Sequence, residues 1–367
     1  MTNDVKIYFG PQHPGITGNM MMEFNLNGET ITYAKTHIGY LHRGFEKLME
    51  RRSYLQNFTI VCRICVPEPD INEEAYSLAV ESLGDYEVPE RAQYIRVIVL
   101  ELARLMSYIM WSGGQAGSMG LYTMPQWAFA DRDYLIDLME MLTGARIYHM
   151  YIWPGGVRRD LPAGWTDKLL ETLTYIEKRL LDYDRLFFNN ALFIKRARGT
   201  GIVSDKHARE RGIVGPILRG CGIKEDVRVN NPYEVYNKLD MNIITEEGGD
   251  VYSRAMVRRR EMDQSIRIIR QAVKDMPSGA FYKRPFENPF KFRVKEGITY
   301  RKVESARGEY GYFMESDGSE KPRRVHVRGP GYVHAFTVLE KMLIGQKLSD
   351  VPVIMTSMGI CPPEIER

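Results

Sequence analysis

The chain lacks an apolar run long enough to cross a bilayer. Its best stretch, Tyr94 to Trp111, carries Arg96, Glu101 and Arg104, whereas a spanning helix needs roughly 20 predominantly apolar residues. The opening Met-Thr-Asn-Asp-Val-Lys has neither a basic start nor an apolar core followed by a cleavage site, so a secretory signal is not expected and the chain should stay in the cytoplasm. Net charge is almost missing too. Fifty basic against 47 acidic residues leave +3, which is no electrostatic footprint for nucleic acid, and nucleic acid is excluded as an expected partner. Cysteine is scarce: four residues in 367 make no disulfide framework, and any close pair is better used for metal or redox chemistry. Gly/Ser linkers, repeats and low-complexity segments are also missing, so nothing divides the chain into independent parts.

What is present reads as one α+β unit. From Lys6 to Tyr33 apolar and polar residues alternate around Gly10-Pro11 and Asn27-Gly28, which predicts antiparallel strands, a hairpin and a loop at Gln12-His13-Pro14. Spacings of three and four predict helices over Glu73–Leu83, Glu90–Met110, Trp127–Leu142, Trp165–Arg196 and Ala255–Lys274. Trp165–Arg196, rich in Leu, Tyr and Phe and free of Gly and Pro, is the expected central strut. Gly212–Pro232 and Thr245–Asp250 are turn-rich connectors, Phe292–Val327 returns to short strands, and Tyr332–Leu343 is a last helix before a short tail. The expected regions are 1–55 (β), 56–290 (helical bundle) and 291–367 (strands, helix and tail), within a single domain 1–367.

Two segments stand out chemically. Cys62-Arg63-Ile64-Cys65 is a C-x-x-C pair, and the tail Ser357-Met-Gly-Ile-Cys-Pro-Pro-Glu-Ile-Glu-Arg367 places Cys361 and Glu364 at an end that is normally dispensable. An early C-x-x-C and a C-terminal cysteine are where large subunits of NiFe hydrogenases hold their two metal-ligating pairs, and the chain resembles that family. The resemblance puts the second pair at Cys361 and Glu364, so one soft thiolate ligand has become a hard carboxylate, which lowers affinity for nickel and iron. The histidine that follows the family's first pair is absent from Val66-Pro67-Glu68-Pro69-Asp70. No metal is therefore expected on this chain.

The rest resembles the quinone-site (49 kDa) subunit of complex I, a descendant of the same large subunit. The shared strings are Gly10-Pro-Gln-His-Pro14, His37-Ile-Gly, Leu41-His-Arg-Gly44 with Glu46-Lys47, Ala75-Tyr-Ser-Leu-Ala-Val-Glu81, and Pro154-Gly-Gly-Val157 with Asp160-Leu-Pro162. They continue with Gly215-Pro-Ile-Leu-Arg-Gly-Cys-Gly-Ile-Lys224, Pro232-Tyr-Glu-Val-Tyr236, Arg307-Gly-Glu-Tyr-Gly311 and Ser316-Asp-Gly-Ser319. The resemblance implies a NiFe-hydrogenase large-subunit fold: an N-terminal antiparallel sheet, a central long-helix bundle, and C-terminal strands whose tail threads back into the core beside the first cysteine pair. It also implies a small iron–sulfur subunit holding a [4Fe–4S] cluster against this chain, with His42 and Arg43 facing it, and no cofactor held by this chain alone. Further hydrophilic and membrane subunits would place it peripherally on the cytoplasmic face of the membrane.

Of the three groups that complex I uses on quinone, only the loop histidine survives, as His13. Val66 stands at the tyrosine position and Ser118 at the aspartate position, and valine neither donates a proton nor hydrogen-bonds a carbonyl. A two-proton quinone site needs positioned donors. The remaining pattern, thiols and a carboxylate beside a partner's cluster, resembles the large subunits of archaeal membrane-bound sulfane sulfur reductases. The resemblance implies ferredoxin as electron donor, polysulfide as substrate and ion pumping. Cys62, Cys65 or Cys361 would either carry a transient persulfide or only shape a polarisable pocket. Glu68, Asp70 and Glu364 are candidates for moving protons; Cys221 reads as a packing residue, with Arg219, Lys224 and Asp226 bracing its loop. A quinone-reducing or hydrogenase-type subunit and a silent scaffold over the cluster are the competing classes.

Overall fold

The computed structural model describes residues 5–13 and 18–367. Pro14 of the expected first-loop string lies outside the described residues. Alternation in the N-terminal segment produces a three-stranded antiparallel meander, β1 (Val5–Phe9), β2 (Met21–Asn27) and β3 (Thr30–His37). Met22, Phe24 and Leu26 of β2 point inward and are buried, as period-2 geometry requires. Short helices α1 (Phe45–Arg51) and α2 (Phe58–Val61) lead to the long helices α3 (Pro69–Gly84), α4 (Glu90–Gly117) and α5 (Thr123–Thr143). A two-stranded ribbon, β4 (Ile152–Trp153) and β5 (Gly156–Val157), closes around Pro154-Gly155. Then come α6 (Trp165–Tyr183), the four short helices α7 (Ala191–Ala197), α8 (Asp205–Glu210), α9 (Gly215–Arg219) and α10 (Val227–Asn230), and the long α11 (Val251–Asp275). A second meander, β6 (Gly297–Ser305), β7 (Gly308–Ser316) and β8 (Pro322–Arg328), precedes α12 (Pro330–Val333), α13 (Glu340–Leu343), α14 (Val351–Met358) and α15 (Pro362–Ile365).

The central strut is α4, not the Trp165–Arg196 segment. Helix α4 packs against both α5 and α11 and is buried from Ile95 to Ile109 without interruption. The charges that break its apolar run are inside and paired. Arg96 meets Glu81 at 2.6 Å and Glu234 at 2.9 Å, and Glu101 holds Arg228 at 3.0 Å and Arg104 at 3.3 Å. Pairing of this kind offsets the cost of burying the charges. The Trp165–Arg196 segment is two helices: after α6 a π-helical turn (Asp184–Phe188) ends at Asn189, and Asn190 caps α7 by accepting from the Leu192 N–H at 2.8 Å. Leu181 remains 56% exposed, so α6 is an outer helix against α5.

One contiguous hydrophobic cluster runs from Met20 to Ile365 and joins both sheets to the bundle. Among the described residues no helix is long and apolar enough to cross a membrane.

Candidate functional site

The tail reaches the core because α14 is nearly all apolar and stops at Gly359 (φ 65°), whose left-handed backbone turns the chain back. Cys361 then caps α15, begun by Pro362 and Pro363. Glu364 is fully enclosed between Gly329 and Gly331: a Cβ on Gly329 would lie 2.2 Å from Glu364 Cγ, and the Gly331 N–H donates to Glu364 Oε1 at 2.6 Å. Glu366 accepts from the Leu41 N–H at 2.6 Å through Oε2, and its carbonyl lies 2.6 Å from His42 Nδ1. Arg367 ends on Glu46 at 2.9 Å. The last residues are thus bonded to the loop 41–46.

Cys62 ends α2 and Cys65 lies in the turn before α3. Cys65 Sγ is 3.5 Å from Cys361 Sγ, and both are buried. The two sulfurs and a Glu364 oxygen all lie within 4.8 Å of one another. Arg307 completes the arrangement, donating from Nη1 to Cys65 Sγ at 3.2 Å and to Glu68 Oε2. It sits in the two-residue turn Ala306-Arg307 that joins β6 to β7. That turn is pressed against α9, where a Cβ on Gly215 would lie 2.4 Å from Arg307 O. Glu68 Oε1 accepts from the Ala306 N–H at 2.6 Å, fixing the turn from the other side.

The electrostatics divide the two thiols. The contact between the two thiols, helped by the Arg307 cation, brings the Cys361 thiol down to about 7, while the same contact and burial push Cys65 well above its ordinary value. The pair thus shares one proton, with one sulfur poised as thiolate and the other as its donor. Burial, with Cys361 beside it, raises the Glu364 carboxyl to about 8, so it carries a proton at neutral pH.

Other anticipated residues lie elsewhere. Cys62 is outside the Cys65–Cys361–Glu364 group; its sulfur accepts from Arg63 Nη1 at 3.3 Å, and burial, reinforced by Glu73, raises its thiol to about 12. His13 is exposed, its ring 3.8 Å from that of Phe9. His42 and Arg43 are exposed; Arg43 donates to Arg63 O at 3.0 Å and stacks over Phe45, which ties the loop to the Cys62–Cys65 turn. Val66 is 41% exposed. Asp70 is buried and paired with His149 Nδ1 at 2.9 Å. Cys221 is buried against the carbonyls of Val203 and Ile217. Arg219 and Asp226 join Glu261 and Glu304 in a buried network, whereas Lys224 is exposed and takes no part in bracing the loop.

Beside the thiol pair opens a cavity of about 580 Å³ walled by Met110, Trp111, Tyr122, Pro125, Phe129 and Ile360, with Ser118, Arg258 and Arg307 among its polar residues. The sequence pattern gave no hint of Arg258 and assigned Arg307 no role. The signal for Arg307 was its place in a Ser-Ala-Arg-Gly turn between two strand patterns; Arg258 lay on a helix face that reads like any charged one.

A family model described as respiratory-chain NADH dehydrogenase, 49 Kd subunit, matches residues 118–288 and 285–367. The chain belongs to this 49 kDa family. An NADH-quinone oxidoreductase subunit of Thermosipho melanesiensis is 47% identical over 99% of this chain and all of the relative. An F(420)H(2) dehydrogenase subunit of Methanosarcina mazei is 40% identical over all of this chain and 98% of the relative. Among solved structures, a chain of the membrane-bound sulfane sulfur reductase, an archaeal respiratory membrane complex, superposes with TM-score 0.96 at 43% identity, covering 99% of this chain and 98% of that one.

This 49 kDa family member is accordingly an oxidoreductase subunit with the fold of that complex. Its donors do not fit the four-thiolate nickel–iron centre of the hydrogenase branch. Among the described residues two thiols and one carboxylate converge, Cys62 stands apart, and Arg307 already occupies the Cys65 sulfur.

Proposed function

We propose that the chain is the large subunit of a membrane-bound, ion-pumping oxidoreductase complex that reduces sulfane sulfur, as polysulfide, next to a [4Fe–4S] cluster on a small partner subunit. The observation that carries this reading is the Cys65–Cys361 pair, 3.5 Å apart with the Cys361 thiol near 7, at a place with no phenol at the Val66 position. The name of the structural neighbour supports it. The loop bearing His42 and Arg43 would face the cluster, ferredoxin would supply electrons, and further hydrophilic and membrane subunits would hold the chain at the cytoplasmic face.

The partner's cluster supplies single electrons. In the persulfide route, Cys361 thiolate attacks the inner sulfur next to one end of the polysulfide dianion, forming a sulfur chain anion on Cys361 and displacing the terminal sulfur as sulfide, which takes up one proton and leaves as hydrosulfide. Two electrons then cleave the bond between Cys361 Sγ and that chain, regenerating the thiolate and releasing a polysulfide dianion one sulfur shorter. Glu364, protonated at neutral pH, is the adjacent proton source. In the other route the thiols only line the reaction space. Cys65→Ala combined with Cys361→Ala separates them: polysulfide turnover of the purified complex falls at least ~100-fold in the first route, and undiminished turnover eliminates it.

Quinone reduction is the second reading, favoured by the name of the Thermosipho relative and by the apolar cavity. Acceptor preference of the purified complex decides between them.

A further inference from the structure

Five of the large arginines in the core use their donors fully or meet a carboxylate, and one does not. Arg96, Arg104, Arg219 and Arg228 each pair with buried acids. Arg254 spends its guanidinium on Ser357 Oγ (2.9 and 3.1 Å) and on the carbonyls of Gly201 and Gly249 (3.0 and 2.8 Å). Arg258, one turn further along α11, is 1% exposed and has no carboxylate within ion-pair distance among the described residues. Its Nη1 makes one long bond, 3.3 Å to Arg254 O, and its Nη2 has no hydrogen-bond partner. Burial pulls its guanidinium down to about 10, opposed by Tyr108 and Glu261 and reinforced by the neighbouring Arg254 and Arg307 cations, yet it stays charged at neutral pH. Leaving a buried cation without a counter-ion is costly, and a fold that keeps one has a use for it.

Arg258 is among the residues that line the 580 Å³ cavity, with its unpartnered Nη2 enclosed. Gly359 leaves room beside that atom, since a Cβ there would come within 3.1 Å of Nη2. Trp111 holds the group in place: its ring centroid lies 4.6 Å from Arg258 Cζ, and its own N–H is fixed on Thr356 O at 2.8 Å. The cavity thus has apolar, polarisable walls, a cation at Arg258 with no carboxylate partner among the described residues, and a second cation at Arg307 that leads to Cys65 and Cys361.

We infer that Arg258 is a substrate-binding residue that holds the charged end of an anionic sulfur chain, so that the cavity selects a linear polysulfide dianion over neutral sulfur compounds. The inference rests on the sulfane sulfur reading above. The aromatic walls contact the sulfur chain, a terminal sulfide meets the Arg258 guanidinium, and inner sulfurs extend toward Arg307 and the thiol pair. A low-dielectric wall strengthens this one contact well beyond its value in water.

The test uses the purified complex carrying Arg258→Gln or Arg258→Lys, with sodium polysulfide and neutral dimethyl trisulfide as substrates. The ratio of kcat/KM for polysulfide to that for the trisulfide should fall at least tenfold in Arg258→Gln, mainly through KM, and recover at least half-way in Arg258→Lys. An unchanged ratio in Arg258→Gln overturns the inference. A binding arm independent of turnover uses thiosulfate as a probe and reads the Trp111 fluorescence, taken as the difference from a Trp111→Phe control. Saturable quenching that disappears in Arg258→Gln supports the anion subsite even if the complex reduces no polysulfide, in which case only the proposed function falls. Absence of saturable quenching overturns the subsite.

Discussion

Replacing Cys65 by alanine should change the chemistry of a residue 296 positions away. The Cys361 thiol, ordinarily near 9, sits at about 7, and the largest cause is the hydrogen bond across 3.5 Å from Cys65. At pH 7 about half of Cys361 is thiolate; with the contact to Cys65 removed, burial is left opposed only by the Arg307 cation and the backbone, the thiol returns toward its ordinary value, and about 1% remains. The rate of modification by a small methanethiosulfonate reagent, followed by mass spectrometry on the peptide containing Cys361, should therefore fall roughly 50-fold at pH 7. The sign fixes the profile. In the parent, the rate falls tenfold per unit below pH 7 and levels off above 8; in Cys65→Ala the same curve moves up by about two units. Cys65→Ser, which keeps a hydroxyl donor, should fall between. An unmoved midpoint in Cys65→Ala would refute the paired-thiol reasoning.

Glu364→Gln keeps an acceptor for the Gly331 N–H and removes the charge. The Glu364 carboxyl is raised from 4.5 to about 8 in the fold, so its favourable contribution is complete below pH 4.5 and is lost as pH rises through 8. The variant complex should outlast the parent at pH 9, by at least ~2 °C in melting temperature, with the difference shrinking toward pH 5. Gly331→Ala would press a methyl within 2.9 Å of Glu364 Oε1; release of the tail should appear as faster proteolysis after residue 359. Metal analysis of the complex should return no stoichiometric nickel, and a stoichiometric value would remove the sulfur reading.

Much of the fold was legible because its signals are local. Alternation marked β1 to β3 and β6 to β8, and the three- and four-residue spacing marked α3, α4, α5 and α11. The break after Tyr183 was not, because Leu186, Phe187 and Phe188 continue an apolar helical pattern and the Asn190 cap that starts the next helix is a single polar residue within it. The thiols and Glu364 stood out by residue type, and the resemblance supplied their meeting. What the chain hid was direction. Arg96 and Arg104 read as interruptions of an apolar run, yet each is a matched ion inside the bundle. Arg258 looked the same in sequence, and only its unmatched Nη2 beside a cavity sets it apart. Lys224 carried the opposite lesson, since a charged residue inside a shared string is simply solvated.

The most direct measurement is electron-acceptor preference of the purified complex, with polysulfide, a short-chain quinone and protons offered separately under the same reductant. Polysulfide-dependent hydrosulfide formation at least tenfold faster than quinone reduction or hydrogen evolution is the expected result. Quinone reduction at full rate with no hydrosulfide formed would contradict it.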